Sequence, residues 1–293
     1  MATVGIVIVN YNGKEYQNEC IRSLYAMEYQ DFEIIVVDSA SSDDSVEMLR
    51  TEFPKVHILE QKENVGVAVG NNIGICYSKK LGTKYTLLMN NDVELDTKML
   101  SELIKKAIGK TVVVPKIYYY EPSNLLWFAG GELVWNRGSA IHIGIHEEDK
   151  GQYDDERYIT YAPTCCMLIP NEVFERIGMI DEQVFMYYDD TDFCARMQEH
   201  NIPLLYVPSS KMWHKVSSAS GGENSRTNVY YMFRNQLYYI KKHKKMMKFS
   251  GKLYAIIRGI AKYILHPICC KNDKYILDAY IDYARNKMGR KDF

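Results

Sequence analysis

The sequence predicts an α/β protein: a mostly parallel central sheet flanked by helices, with a C-terminal helical extension. Three observations predict it. Strand-like apolar runs alternate with helical spacing through the first third of the chain, and that βαβα order makes the strands parallel, with helices on both faces. The run Tyr85-Thr86-Leu87-Leu88-Met89 stops abruptly at Asn90-Asn91-Asp92, as a buried strand does where it reaches the carboxyl edge of a sheet. Beyond residue 225 the spacing turns helical and basic.

Taken in order, a β-branched run predicts a strand over 4–9 and apolar spacing a helix over 14–27. A second strand, 33–37, ends at Asp38. A helix over 43–53 follows, with Asp44 and Glu47 at capping-box spacing. A strand at 56–59, a helix over 67–80 ending near Gly82 and a strand at 86–89 complete the first half. The middle is less regular: extended pieces at 111–114 and 116–120, then a Gly- and aromatic-rich stretch, 127–145, that reads as hairpins or a loop over the sheet. A strand at 161–169, helices at 171–177 and 189–199 and a last strand at 204–207 follow. A Ser/Gly loop at 217–224 then leads to helices over 229–243, 253–265 and 275–288. The expected division is an α/β domain over 1–224 and a basic C-terminal helical region over 225–293.

The net charge of -1 hides an asymmetry. Residues 226–293 hold 16 Lys and Arg against 4 Asp and Glu, and the rest of the chain holds 20 against 33. A basic tail on an acidic body favours an anionic partner. Basic residues mixed with Leu, Ile and Tyr suit an anionic membrane surface; packing on the body or a homodimer is the alternative. Nucleic acid is not expected, since no nucleic-acid-binding motif accompanies the charge. The seven cysteines form no Cys-x-x-Cys pair, which argues against a zinc ribbon and for reduced thiols in a cytoplasmic protein. The first residues run straight into a strand pattern and do not read as a signal peptide. No run reaches the ~20 apolar residues of a membrane-spanning helix.

Four polar clusters carry the chemistry. Asn10-Tyr11-Asn12-Gly13 ends the first strand and reads either as a base-holding loop or as a plain turn. Asp38 ends the second strand, where its carboxylate can accept from a pyrimidine N–H or a ribose hydroxyl; Asp43 and Asp44 after it read as helix caps. The third cluster runs from Asn64 through Gly66, Gly70, Asn71 and Gly74. It lacks the spacing of a dinucleotide fingerprint and the Lys of a phosphate loop, which leaves ligand approach or close packing. The fourth, Tyr188-Asp189-Asp190-Thr191-Asp192, crowds three acids at a helix start. It reads as a solvated cap or as a general base with a neighbour on substrate hydroxyls, one acid being available to Arg196. At the end of the 86–89 strand, Asp92 suits Mg2+ or Mn2+ beside a diphosphate. His214 is either structural or a further metal ligand.

In this order the clusters resemble the inverting family 2 glycosyltransferases of GT-A (Rossmann-like) fold, and are most similar to the rhamnosyltransferase-like branch of bacterial cell-surface polysaccharide pathways. The resemblance spans roughly 4–240. It also takes in Cys166-Met167-Leu168-Ile169, Val173-Phe174 and Trp213-His214. It implies a sugar, rhamnose among the candidates, moved from a nucleoside-diphosphate donor, dTDP- or UDP-linked, to a saccharide acceptor; with the basic tail on the inner face of the cell membrane, that acceptor would be lipid-linked. Asp38, Tyr11 and Asn12 would hold the base, with Asn10, Asn64, Asn71 and Asn91 beside the nucleotide. Asn90-Asn91-Asp92 stands for the family's Asp-x-Asp element, with Asp92 and His214 on the metal. Asp190 matches the base of the Glu-Asp-x-Asp motif, with Asp189, Asp192 and Trp127 on the acceptor side. Two positions depart from the pattern: Asn90 replaces the first Asp of Asp-x-Asp, so the metal has one carboxylate fewer, and Asp189 replaces Glu, so its reach is shorter. Competing readings are a sugar-1-phosphate nucleotidyltransferase, which would want a basic Gly-rich loop where only Lys14 stands, and a non-catalytic nucleotide-sugar module, against which Asp92, Asp190 and His214 argue.

Overall fold

Parallel strands β1 (Val4–Asn10), β2 (Phe32–Asp38), β3 (His57–Glu60) and β4 (Tyr85–Met89) form one half of the central sheet of the computed structural model. It describes residues 3–215, 225–247 and 273–293, with single positions 251, 253, 254, 257 and 261. The expected 217–224 loop, most of the 253–265 helix, and Cys269 and Cys270 lie outside the described residues. Between the strands run helices α1 (Lys14–Tyr25), α2 (Ser45–Glu52) and α3 (Gly66–Lys80). β1 pairs with β2 on one side and β4 on the other, both parallel. Successive crossovers thus leave β1 in opposite directions, which opens a crevice at its carboxyl end. β1 and β4 are buried almost throughout, as strands covered on both faces must be. Gly74 lets α3 lie on β1: a Cβ there would stand 2.2 Å from a Val7 methyl.

The second half adds β5 (Val93–Leu95), α4 (Met99–Lys106), β6 (Val112–Tyr119), β7 (Leu126–Phe128), β8 (Gly131–Val134), β9 (Ser139–His142), β10 (Arg157–Tyr158), β11 (Cys166–Pro170), α5 (Asn171–Ile177), α6 (Asp189–Glu199) and β12 (Leu204–His214). The main path through the sheet runs β10-β12-β6-β11-β4-β1-β2-β3. β11 is antiparallel to both β4 and β6, because the chain returns to the sheet from the β8–β9 hairpin rather than over a crossover helix. The sheet is therefore mixed, though mostly parallel. β6 is one strand where two pieces were expected, and β12 continues past 207 over an irregularity between Val207 and Lys211. Of the expected 161–169 strand, only the part from Cys166 pairs.

Helices α7 (Arg226–Lys242) and α8 (Asp273–Ala284) close the fold. α7 is no separate layer: Tyr239 and Ile240 belong to the main core, while Val229, Tyr230 and Phe233 form a second cluster with Ile276 and Ala279 of α8.

Candidate active site

The carboxyl ends of β1, β2 and β4 meet in one network. Asn10 is fully buried; its amide nitrogen donates to Asp38 (2.9 Å) and Ser41 Oγ (3.1 Å), and its oxygen accepts from Asn91 (2.8 Å). Asp38 also accepts from the Ser41 amide (2.9 Å) and hydroxyl (2.6 Å). Asn12, at φ 51°, accepts from the Ser42 amide (2.7 Å). The network shapes the 38–42 loop beside a cleft whose walls include Tyr11, Asn64, Asn71, Asn91, Asp92 and Thr164. Tyr11 is half exposed there, placed for a planar ring to lie against it. The expected capping box is absent: Asp44 makes no cap bond and pairs with Lys14 (2.9 Å), while Asp43 accepts from the Ser45 amide (3.1 Å).

Asp92 follows β4 and His214 ends β12; β5 pairs with β12 and brings them together. His214 Nε2 lies 3.1 Å from Asp92 Oδ1 and 3.4 Å from Asn90 Nδ2, while its buried Nδ1 has no partner. The Trp127 ring stands edge-on to both His214 (4.7 Å) and His142 (4.6 Å). Burial pushes His142 down to about 4, so this imidazole is neutral at pH 7. No group of three or more His, Cys, Asp or Glu converges among the described residues. One carboxylate and one imidazole nonetheless fit Mg2+ or Mn2+, which take few protein ligands and fill the rest of their shell with water and phosphate oxygens.

The acids of α6 divide. Asp189 accepts from Thr164 Oγ1 (3.1 Å), and Asp190 accepts from Tyr161 OH (2.8 Å) and the Thr191 amide (2.5 Å). Burial, then the charge of Asp190, raises Asp189 to about 7. Burial also raises Asp190, against the bonds from Tyr161 and Thr191. Asp192, expected at the acceptor, is enclosed instead by Arg196 Nε (2.8 Å), Lys242 Nζ (2.7 Å) and His243 Nε2 (2.9 Å). Burial opposes its ionisation, but these three hold its carboxyl well below the usual range. It ties α6 to α7 and takes no part in the cleft.

Asp189 follows two left-handed residues, Tyr187 (φ 62°) and Tyr188 (φ 67°). Each such non-glycine residue costs about 1–2 kcal/mol, and the strain persists only where the surroundings hold it. Three features escape a reading of the sequence: this turn, the hydroxyls of Tyr161 and Thr164, and Asn235, which bonds to the turn from α7. An amide on the apolar, aromatic face of a predicted helix was the one available signal for Asn235.

The chain matches glycosyl transferase family 2 over residues 5–178. It is 29% identical to the low-salt glycan biosynthesis hexosyltransferase Agl10 of Haloferax volcanii, over 80% of this chain and 74% of that protein. It is 26% identical to the dTDP-rhamnosyl transferase RfbF of Shigella flexneri, over 81% and 79%. Among solved structures it is similar to GalNAc-T7 with UDP, GalNAc and Mn2+ at a TM-score of 0.68 and 14% identity; the match covers 98% of this chain but only 58% of that one. The mannosyltransferase PcManGT of Pyrobaculum calidifontis, with GDP-Man and Mn2+, aligns at a TM-score of 0.56 and 14% identity, covering 98% and 88%. At such identities the structural likeness concerns the GT-A fold.

Proposed function

The chain belongs to glycosyl transferase family 2, and from that premise we propose that it transfers a sugar with inversion, by one displacement, from a dTDP- or UDP-sugar to a saccharide hydroxyl. One observation carries the reading. The cleft at the carboxyl ends of β1 and β4 is walled by both Asp92 and Thr164, and Thr164 is bonded to Asp189 at the start of α6. This supports the reading: the carboxylate proposed for the metal borders the same space as the partner of Asp189, and Asp190, the proposed base, is the next residue.

Tyr11, Asn12, Asp38, Asn64, Asn71 and Asn91 bind the nucleoside, and the buried Asn10 holds Asp38 and Asn91 in place for it; Asp189 and Trp127 face the acceptor. The Asp190 carboxylate takes the proton from the acceptor hydroxyl, whose oxygen bonds to the anomeric carbon. The anomeric C–O bond breaks on the opposite face, and its electron pair leaves on the nucleoside diphosphate. Asp92 and His214 would hold Mg2+ or Mn2+, whose charge offsets that growing on the leaving diphosphate. dTDP-rhamnose is the first donor to test, given the rhamnosyltransferase relative. A lipid-linked acceptor, met at the cytoplasmic face of the cell membrane in cell-surface polysaccharide synthesis, suits the exposed Leu253 and Ile257 beyond the exposed Lys244 and Lys245.

Mass spectrometry of nucleoside diphosphate released from a panel of dTDP-, UDP- and GDP-sugars, with Mn2+ or with EDTA, tests this. Release from a dTDP- or UDP-sugar that EDTA stops is expected. Release only from GDP-sugars, or release indifferent to EDTA, would contradict it.

A further inference from the structure

Asn235 lies mid-way along α7, outside the stretch matched by the family, and is fully buried. Its amide nitrogen donates twice, to the carbonyls of Met186 (2.8 Å) and Tyr187 (3.1 Å). Its oxygen accepts from Arg234 Nε (3.1 Å). The Arg234 guanidinium is itself buried against two rings, 5.1 Å from the centroid of Tyr230 and 4.9 Å from that of Tyr231. Packing of this kind fixes the amide in one orientation, with both N–H donors used and the oxygen accepting.

The two carbonyls stand where the backbone turns left-handed, at Tyr187 and Tyr188, and Asp189 and Asp190 follow at once. On the other side of the same segment, the Val67 amide donates to Phe185 O (2.9 Å). Gly66, at φ 77°, leaves room for that approach, since a Cβ there would lie 2.5 Å from Phe185 O. Residues 185–188 therefore bridge α3, which borders the donor cleft, and α7. Tyr188 OH reaches Gly138 O (3.1 Å), and Gln236 Nε2, next to Asn235, reaches Arg137 O (3.1 Å). The hairpin and α7 thus close around the turn.

We propose that Asn235 is a positioning residue for the base: by holding the left-handed Tyr187–Tyr188 turn, it sets where α6 begins and so where Asp189 and Asp190 meet Thr164 and Tyr161. This rests on the assignment of Asp190 as base. A group that only filled space would serve as well with any side chain of that size. The proposal instead requires the two donated hydrogen bonds.

The test uses the full chain, the donor that releases nucleoside diphosphate in the panel above, and water as acceptor. Asn235→Asp keeps the size and the Arg234 contact but cannot donate; Asn235→Ala removes both. In each, kcat is expected to fall about 10²-fold, the loss typical of a displaced catalytic group, with little change in the donor KM. In an Asp190→Asn background neither substitution should lower turnover further, because both act through one group. Normal kcat in Asn235→Asp, or losses that multiply with Asp190→Asn, would overturn the proposal. Normal turnover by Asp190→Asn alone is a different result, which removes the base assignment beneath it. Hydrogen exchange gives a readout free of any donor. Faster exchange in Asn235→Asp confined to residues 186–193 is expected; unchanged exchange there, or a rise across the whole sheet, would overturn the proposal.

Discussion

Asp189 and Asp190 are adjacent buried carboxyls that both hold their protons more tightly than usual, Asp189 up to about 7 through burial and then its neighbour's charge. They titrate as a pair. An acid with a raised pKa becomes a base only as pH climbs through the raised value, so the acidic limb of kcat/KM should lie above the ordinary aspartate value of about 4. Asp189→Asn keeps the burial that raises Asp190 and should leave that limb above the ordinary aspartate range. A pH–rate profile of Asp189→Asn whose acidic limb fell to the ordinary range would contradict burial as the cause. At this scale, residues that end strands were legible. Asn10 and Asp38 end β1 and β2, and Asp92 lies three residues past the end of β4; polar residues there have the sheet edge to occupy. Tyr161 and Thr164 were not legible, because their partners lie 29 and 25 residues away and nothing local marks them. The partners of Asp192 were not legible either, because it is chemically the same as its neighbours. Its direction along α6, toward Arg196 and the end of α7, is what separates it from them.

The α6–α7 contact has a pH dependence of its own. Asp192 sits well below the usual carboxyl range, and its contribution to stability is lost as pH falls through that depressed value. His243 is raised: burial works against the charged ring, but bonds to Asp192 (2.9 Å) and Glu199 (2.8 Å) outweigh it. Its contribution is whole below the ordinary histidine value of about 6.5 and is lost as pH rises through the raised one. The contact should therefore be strongest from about pH 4 to 6.5. Melting curves of His243→Gln should lack the alkaline decline expected of the wild type; an identical decline in both would contradict this. Other elements show why the pattern reading stopped short. β12 continues past Pro208 only because the strand is irregular between Val207 and Lys211, and a proline in a strand normally argues against continuing it. α4 went unrecognised because it is short and uncapped: Lys98 at its N-cap makes no side-chain bond, and only Met99, Leu100 and Leu103 are buried. The parallel half was legible because its strand–helix alternation is regular. β11 was expected as a strand, but its antiparallel direction was not foreseeable, since direction is set by the long excursion before it and not by its own residues.

Across the molecule, the C-terminal region is proposed to serve two ends. α7 reaches from the main core to the turn before Asp189 and Asp190, while Leu253 and Ile257 and, on α8, Leu277 and Ile281 are exposed. Among the described residues no helix is long and apolar enough to cross a membrane, so attachment by this region would be at a surface. The chain should sediment with anionic liposomes and less so with neutral ones; Leu253→Glu with Ile257→Glu should release it, and added salt should weaken the binding. Equal sedimentation with both vesicle types, or an unaffected variant, would contradict a membrane surface. All of this depends on one proposed arrangement, a nucleotide and metal arm at the ends of β1 and β4 with a base at the start of α6. The most direct measurement compares wild type with Asp190→Asn, by calorimetry of dTDP or UDP binding in Mn2+ and by turnover of the donor found in the panel. The expected result is unchanged nucleotide affinity with turnover reduced about 10²–10⁴-fold. Near-normal turnover, or nucleotide affinity lost together with turnover, would contradict the division of the site into a donor arm and a base.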